Sequence, residues 1–445
     1  MICFVAKIWL ILIRLSDKMG MFGDHIIDVD NITTSIEEEL NLHPLSDQCC
    51  IYRVATSTFR MNEVSFTPQI VSIGPFHHGK PELKNMEEHK RRYLQDFLDL
   101  SNANVKKYAS IVKQNETRLR NCYAENIELF SDEFVKMILV DAAFVIMMLL
   151  KCSFKHLRSN NDRIFHRPWM ENDVRYDMLL FENQIPFFIL KDLYEASEIS
   201  TKLQGLSLVK ITHTFFKEKW NSWATDEALE KQSLSEAVHI LDFMRICQLP
   251  LSKSYTRKSS KSKNSIAWCA PSATELKRAG VKFKVGLSTS KLDIEFKDGI
   301  LYFPTLKITP GKEITLRNLQ AFEQCHCHDK YINDYIAFIT MLVETEKDVE
   351  IVVGSGIIQN WLRSNARLAT LFNDLAQEKL VSRVRFYYSD IVEDLNMHCG
   401  SSWRKWKATL EQDYFNTPWS GISVLAAFVL LILTVIQTVC SVMQV

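Results

Sequence analysis

The sequence has little glycine and little proline, with 13 Gly and 11 Pro among 445 residues. Because both residues interrupt helices, their scarcity and a hydrophobic content of 47% exclude a disordered chain and predict a packed, helix-rich globule. The chain also lacks an excess of either charge, since 53 Lys and Arg residues balance 53 Asp and Glu residues. No overall field would attract a nucleic acid, so we expect no nucleic-acid partner.

A framework of paired cysteines is absent as well. The 11 cysteines are an odd number with irregular spacing, and Cys49 and Cys50 are adjacent. This usage is typical of free, buried thiols in a reducing compartment. The motifs His77-His78 and Cys325–His328 lack the spacing of a zinc site, and neither a Walker loop nor a dinucleotide fingerprint is present. The sequence therefore predicts no metal, no cofactor and no assignable catalytic residue.

The predicted organisation has three parts. Residues 1–30 form a poorly determined N-terminal segment, in which residues 1–15 are either a weak signal sequence or an irregular start. Residues 31–413 form a mostly helical domain, with a helix beginning at the capping box of Ser35 and Glu38. A basic, Ser- and Lys-rich loop at residues 251–265 interrupts this domain and is interpreted as a solvated loop, with a lipid-facing patch or a modified regulatory loop as the alternatives.

Two helices of this domain can be characterised from the pattern of apolar residues. Phe134–Leu150 is almost entirely apolar and predicts a buried core helix, in which the carboxylate of Asp141 needs a partner. From Leu83 onward the apolar residues follow helical spacing, and Lys90 is assigned, with its charged neighbours, largely to the solvent side.

The clearest strand signal lies near residues 281–310, where we expect a small β-hairpin. Leu292, Ile294 and Phe296 alternate with polar residues, and Asp298-Gly299 is a typical hairpin turn. Helical periodicity returns over residues 316–343 and again over residues 357–375. The predicted fold class is therefore mainly α with this small β-hairpin region.

The C-terminal run predicts a single transmembrane helix at residues 422–443, because about 22 mostly apolar residues suffice to cross a bilayer. A buried helix of a soluble domain is the alternative. Arg404, Lys405 and Lys407 precede the run and no charge follows it, which favours a tail-anchored protein with a cytosolic main domain. We thus expect the lipid bilayer as a partner, at the plasma membrane or an endomembrane.

The central stretch of the chain places three polar residues between two apolar blocks. Glu182, Asn183 and Gln184 follow Met178–Phe181 and precede Pro186, which suits the first turn of a new helix. The triplet is either a hydrogen-bonded hinge between two buried elements or a polar site. We therefore treat the triplet as a set of candidate binding residues, and His77, His78 and Glu323 complete that set.

Several motifs follow one another along the chain: Ile51–Val54, Pro68–Gly79, Met86–Lys90, the central Leu180–Phe188 stretch, Glu275–Phe283, Arg317–Cys325 and Tyr414–Trp419. Together and in this order they resemble one plant family, the "domain of unknown function 247" family. The resemblance extends from about residue 45 to the end. It implies a plant membrane protein with one C-terminal helix and no established biochemistry, and a link of some grass members to self-incompatibility suggests recognition or signalling.

Two functional hypotheses follow. The first is a single-pass membrane protein that acts in recognition or signalling through an unknown protein partner. The second is a membrane-tethered hydrolase or transferase with a buried Glu/His site. Met147 stands where the family commonly has an acidic residue, which argues against a mechanism that needs that carboxylate.

Overall fold

The computed structural model describes residues 33–34, 46–220, 229, 232–250, 269–288, 290–377, 386–400, 426 and 429–438. The chain divides into two compact units, Met1–Asp47 and Gln48–Val445. Within the first unit, Thr33 and Thr34 are helical and exposed. The predicted segment 1–30, the Ser35 capping box and the basic loop at residues 251–265 lie outside the described residues.

Helices dominate the second unit, which confirms the predicted mainly α fold class. Its first half contains α1 Thr56–Met61, α2 Lys84–Ser101, α3 Val105–Gln114, α4 Glu116–Arg120, α5 Ser131–Ser153, α6 Pro168–Asp177, α7 Phe187–Ala196, α8 Ile199–Lys202, α9 Leu208–Trp220 and α10 Ile240–Gln248. Its second half contains α11 Ala273–Arg278, α12 Pro310–His326, α13 Tyr331–Leu342, α14 Glu346–Gly354, α15 Asn365–Gln377 and α16 Ser389–Gly400.

The centre of the second unit is α5, as the apolar run predicts. The helix contains no Gly or Pro, and every residue from Met137 to Cys152 is buried. Asp132 and Glu133 lie in its first turn, where acidic side chains complement the partial positive charge of a helix N-terminus. A helix that is apolar all round must be surrounded by other elements, and α2, α3, α7 and α9 pack against it.

Helix α2 packs one face against α5, and that face includes a charged residue. Met86, Lys90, Tyr93 and Phe97 are buried and follow one another at helical spacings of three or four residues. The prediction that Lys90 lies on the solvent side is therefore wrong. Its position one turn after Met86 puts its ammonium inside the core, where it meets Asp141.

The strands confirm the predicted hairpin and add parallel partners. β2 Glu295–Lys297 and β3 Ile300–Phe303 are antiparallel, and both turn residues between them have positive φ, as a type I′ turn requires. β1 Lys282–Val285 pairs in parallel with the other side of β3. A second, two-stranded parallel sheet joins β4 Leu306–Ile308 to β5 Ile358–Asn360.

The predicted transmembrane helix at residues 422–443 requires a correction. Among the residues that the structure describes, no helix combines the length and the apolarity that crossing a bilayer requires. Within the predicted span, residues 429–438 are described as helical. Crossing a bilayer takes about 20 consecutive, mostly apolar helical residues, and no helix among the described residues meets this requirement. The rest of the predicted span, apart from residue 426, lies outside the described residues.

Candidate functional site

A loop at residues 69–74, here called the buried loop, lies beneath the central polar triplet. Asp177, at the end of α6, accepts three of its backbone N–H groups, with distances of 2.9 Å from Gln69, 2.7 Å from Ile70 and 2.8 Å from Val71. Burial raises the pKa of Asp177 to about 7, although these three hydrogen bonds oppose the rise. The Asp177 side chain therefore accepts hydrogen bonds from half of the backbone N–H groups of the buried loop.

Asn183 binds the same loop from the other side. Its Oδ1 accepts the N–H of Ile73 at 2.7 Å, and its Nδ2 donates to the carbonyls of Val71 at 2.9 Å and Asp177 at 3.0 Å. These three bonds occupy both amide protons and the oxygen of a fully buried side chain. Asn183 is therefore a bridge between backbone segments, with no hydrogen atom left to offer a ligand.

Gly74 ends the loop and has to be glycine. Its φ is +77°, and a Cβ there would lie 2.4 Å from the carbonyl oxygen of Gln184. The Gln184 side chain closes the opposite end of the break, because its Nε2 donates to the carbonyls of Met178 and Leu180, both at 2.8 Å. Its Oε1 accepts the N–H of Leu241 at 3.3 Å, which ties the triplet to α10.

The buried ion pair of Lys90 and Asp141 supports the end of the loop. The two side chains are fully buried with 2.5 Å between Nζ and Oδ1, and the other carboxylate oxygen accepts the Gly74 N–H at 2.8 Å. Lys90 also donates to the Ser72 carbonyl at 2.9 Å and pairs with Glu87 at 2.6 Å. Burial raises the pKa of Asp141, and Lys90 and the Gly74 N–H oppose that rise.

Glu182 is the member of the triplet that meets charged and titratable groups. Its Oε1 accepts the Val54 N–H at 2.8 Å, and its Oε2 lies 3.1 Å from Arg53 and 3.6 Å from Nε2 of His77. Burial, with the charges of Lys80 and Arg53, lowers the pKa of His77 to about 3, so the imidazole is neutral at pH 7. Neither ring nitrogen has a hydrogen-bond partner among the described residues.

The remaining predicted candidates lie apart from this network. His78 is exposed and lines a different cleft. Glu323 is fully buried near the end of α12, and its Oε2 accepts the N–H groups of Ile332 and Asn333 at the start of α13, both at 2.9 Å. Within the described part of the chain, no hydrogen bond or ion pair joins Glu323 to His77 or Glu182. The structure therefore brings together Glu182, Asn183, Gln184 and His77 but not the full predicted set.

Sequence reasoning did not assign Asp177 or Lys90 to this network. Asp177 lies directly before the central stretch, and its distance from residues 69–71 along the chain hides the contact. Lys90 had a detectable signal, because it falls one helical turn after the buried Met86. The need of Asp141 for a partner, stated from the sequence, is the requirement that Lys90 meets.

A second feature, here called the acidic groove, is an open surface groove of about 810 Å³ beside β1 and α16. Apolar and aromatic side chains form its walls: Val285, Leu287, Leu292, Ile294, Tyr302, Tyr387, Tyr388 and Ile391. Leu287 is completely exposed and Val285 is 43% exposed. Tyr388 is fixed by a hydrogen bond from its hydroxyl to the Leu292 carbonyl at 2.7 Å.

The charge of the acidic groove has one sign. Asp293, Glu295 and Asp390 line it, and no Lys, Arg or His does. All three carboxylates are exposed. Within the portions of the chain that the structure describes, none of the three takes part in an ion pair, although Asp293 accepts a hydrogen bond from Ser288. A concave surface with apolar walls and uncompensated negative charge is suited to a ligand with apolar and cationic groups.

The fold and these sites define a mainly helical protein whose motif residues hold its interior together. The chain belongs to the DUF247 family, described as "Plant protein of unknown function", whose family model matches residues 51–433. This confirms the family resemblance seen in the sequence motifs.

Two curated plant proteins are similar over nearly their whole lengths. The chain is 29% identical to the UPF0481 protein At3g47200 of Arabidopsis thaliana over 425 residues, which cover 89% of this chain and 87% of the relative. It is 24% identical to the putative UPF0481 protein At3g02645 of Arabidopsis thaliana, with coverages of 92% and 93%. No solved structure matches the chain.

Proposed function

We propose that this chain is a protein-recognition module that binds a segment of a partner protein in the acidic groove. The observation that carries the proposal is the set of three exposed carboxylates, free of ion pairs within the described residues, in a groove walled by tyrosine and aliphatic side chains. Aromatic and aliphatic walls favour protein contacts, because tyrosine combines a large apolar ring with a polar hydroxyl. The charge selects a partner segment that contains Lys or Arg together with apolar residues.

The contacts of the interior network leave recognition to the surface. Asp177, Asn183 and Gln184 direct their side chains to backbone groups rather than to open space. In the acidic groove, the hydrogen bond from the Tyr388 hydroxyl to the Leu292 carbonyl fixes a wall residue, which then loses little conformational freedom on binding.

The alternative, a hydrolase or transferase with a buried Glu/His site, has less support in the geometry. Both oxygens of Glu182 already have donors, the Val54 N–H and the Arg53 guanidinium. Glu323 has separate partners at the start of α13. A general base needs an oxygen within hydrogen-bond reach of a substrate proton, and the contacts of Glu182 place its oxygens on the chain itself.

The test is selection of a random-peptide display library on the full chain. We expect enrichment of peptides that combine Lys or Arg with aromatic or aliphatic residues. The double variant Glu295→Lys/Asp390→Lys is expected to lower the affinity for the enriched peptides by about tenfold or more, because it replaces electrostatic attraction at two positions with repulsion. Peptide affinity is measured by fluorescence anisotropy.

The matched control is Glu128→Lys/Glu350→Lys, which makes the same charge change at two exposed glutamates outside the groove. It is expected to change affinity by less than about twofold. Absence of any enriched peptide, enrichment of acidic peptides, or equal loss in the control variant would each contradict the proposal.

A further inference from the structure

A second cleft, here called the basic cleft, lies between α2, α5 and the segment that follows the buried loop. It has a volume of about 530 Å³. Lys84, Glu87 and Arg91 approach it from one face of α2, at spacings of three and four residues. From α5 come Lys136, Met137 and Val140. The basic cleft shares no lining residue with the acidic groove.

The charge of the basic cleft is positive on balance, with four cations against two carboxylates. Its cations are Lys80, Lys84, Arg91 and Lys136, and its carboxylates are Glu87 and Glu133. Glu87 is already paired with the buried Lys90 at 2.6 Å. Across the described residues none of the four cations has an ion-pair partner. Four such cations around one concavity attract an anion and oppose the entry of a cation.

Ser72, which has a buried hydroxyl, is another lining residue of the same cleft. Ser72 is 1% exposed, and its Oγ has no hydrogen-bond partner among the described residues. Its backbone carbonyl is already bound by Lys90, so the side chain is the group left to interact. A buried hydroxyl without a partner costs free energy, and a ligand oxygen at this position would remove that cost.

The walls of the basic cleft also contain apolar side chains. Leu83, Leu129, Met137 and Val140 line it together with the cations, and three of these four residues are buried. Inorganic phosphate would satisfy the charges and leave these aliphatic walls in contact with water. A ligand with an apolar body would cover them.

From these observations we infer that the basic cleft binds a small amphipathic organic anion, with its phosphate or carboxylate on Lys84 and Arg91 and its apolar body against Met137 and Val140. Ser72 donates its hydroxyl proton to an oxygen of the ligand. Lys80 and Lys136 add long-range attraction. The interior ion pair of Lys90 and Asp141 supports the cleft from inside, because Lys90 donates to the Ser72 carbonyl. Lys90 does not contact the ligand, since Ser72, Glu87 and Asp141 already occupy its ammonium group.

The test is isothermal titration calorimetry of the full chain with four probes. The first two, 1-naphthyl phosphate and 1-naphthoate, carry both the anion and the apolar body. The other two, inorganic phosphate and 1-naphthol, carry one part each. We expect at least one of the first pair to bind about tenfold or more tightly than either single-part probe. Failure of both amphipathic probes to bind, or equal binding of inorganic phosphate or 1-naphthol, overturns the inference.

Variants locate the binding. The double variant Lys84→Gln/Arg91→Gln is expected to lower the affinity for the amphipathic probe by about tenfold or more, since it removes two charge-assisted contacts. Lys347→Gln/Arg367→Gln, the same change at two exposed cations outside the cleft, is expected to alter affinity by less than about twofold. Equal losses in the two variants would assign the binding to general charge and overturn the inference.

Ser72→Ala separates a ligand-binding role from a structural one. Because Oγ has no partner in the described chain, its removal is expected to leave the unliganded unfolding temperature unchanged or higher. The same variant is expected to lower the affinity for the amphipathic probe by about fivefold. Unchanged affinity, or a lower unfolding temperature without ligand, would contradict the role given to Ser72.

Discussion

The buried loop and the acidic groove use polar groups in opposite ways. In the buried loop, side chains accept five backbone N–H groups, those of residues 69, 70, 71, 73 and 74. In the acidic groove, Glu295 and Asp390 face solvent without an ion pair among the described residues. The polar motif residues therefore stabilise the interior, and the uncompensated charges lie on the surface where a partner can reach them.

The difference follows from what burial costs. A buried carboxylate or amide without a partner is destabilising by several kcal/mol, so the interior residues must complete one another's hydrogen bonds. An exposed carboxylate is solvated by water and costs little to keep. Substitution should consequently damage stability in the buried loop and leave it intact at the acidic groove.

The largest effect on stability is expected for Lys90→Met. This variant leaves Asp141 buried without its cation and should lower the free energy of unfolding by about 3–5 kcal/mol. Urea unfolding followed by circular dichroism measures it. Glu295→Gln, the groove control, should stay within about 0.5 kcal/mol of the natural chain.

A second substitution tests whether the charge is the cause. Lys90→Met combined with Asp141→Asn keeps an acceptor for the Gly74 N–H and removes the uncompensated charge. It should regain about half of the lost free energy. If the double variant were less stable than Lys90→Met alone, packing around Lys90, rather than its charge, would be the dominant contribution.

A smaller effect is expected for Asn183→Ala, which removes two hydrogen bonds to the buried loop and one to the end of α6. Leaving the Ile73 N–H and the Val71 carbonyl without partners should cost about 2–4 kcal/mol. The measurement is again the urea midpoint, with Asn126→Ala at an exposed position as the matched control. A loss in Asn183→Ala no greater than in its control would remove the distinction between the buried loop and the surface.

A further effect is a pH dependence that originates at Asp177. Burial raises the pKa of Asp177 to about 7 from an ordinary value of 3.8, so the folded chain keeps a proton that the unfolded chain releases between these values. The contribution of Asp177 to the free energy of unfolding therefore falls as the pH rises from about 4 to about 7. Asp177→Asn does not titrate, and the stability of the natural chain relative to this variant should decline over that interval. A difference that is constant with pH would be inconsistent with the raised pKa.

Much of the helical framework was predictable from the residues themselves. The apolar run at Phe134–Leu150 predicted the central helix, because a segment without Gly or Pro and with nearly continuous apolar side chains is stable only when surrounded. The alternation around Phe296 and the Asp298-Gly299 turn predicted the hairpin for an equally local reason.

The predictions that failed share a dependence on what happens beyond the local segment. Lys90 was assigned to the surface because it is charged, although its helical spacing from Met86 places it on the buried face. Its burial is favourable only because Asp141 lies opposite it on a neighbouring helix. The C-terminal run was predicted to span a membrane from its apolar residues, whereas no helix in the described part of the chain is long and apolar enough to cross one. The parallel pairing of β1 with β3 was not predicted, because the chain passes through β2 between them and the pairing has no local signal.

The sequence by itself determined the family, the helical class, the hairpin and the break at Glu182, Asn183 and Gln184, because each depends on neighbouring residues or on an ordered series of motifs. Tertiary structure alone decided what the break does. The bonds from Asn183 to residues 71 and 73 cross more than a hundred residues of sequence, so no periodicity reveals them. The acidic groove and the basic cleft are likewise set by tertiary packing, since each is assembled from segments that are separate in the chain and meet only when the helices pack.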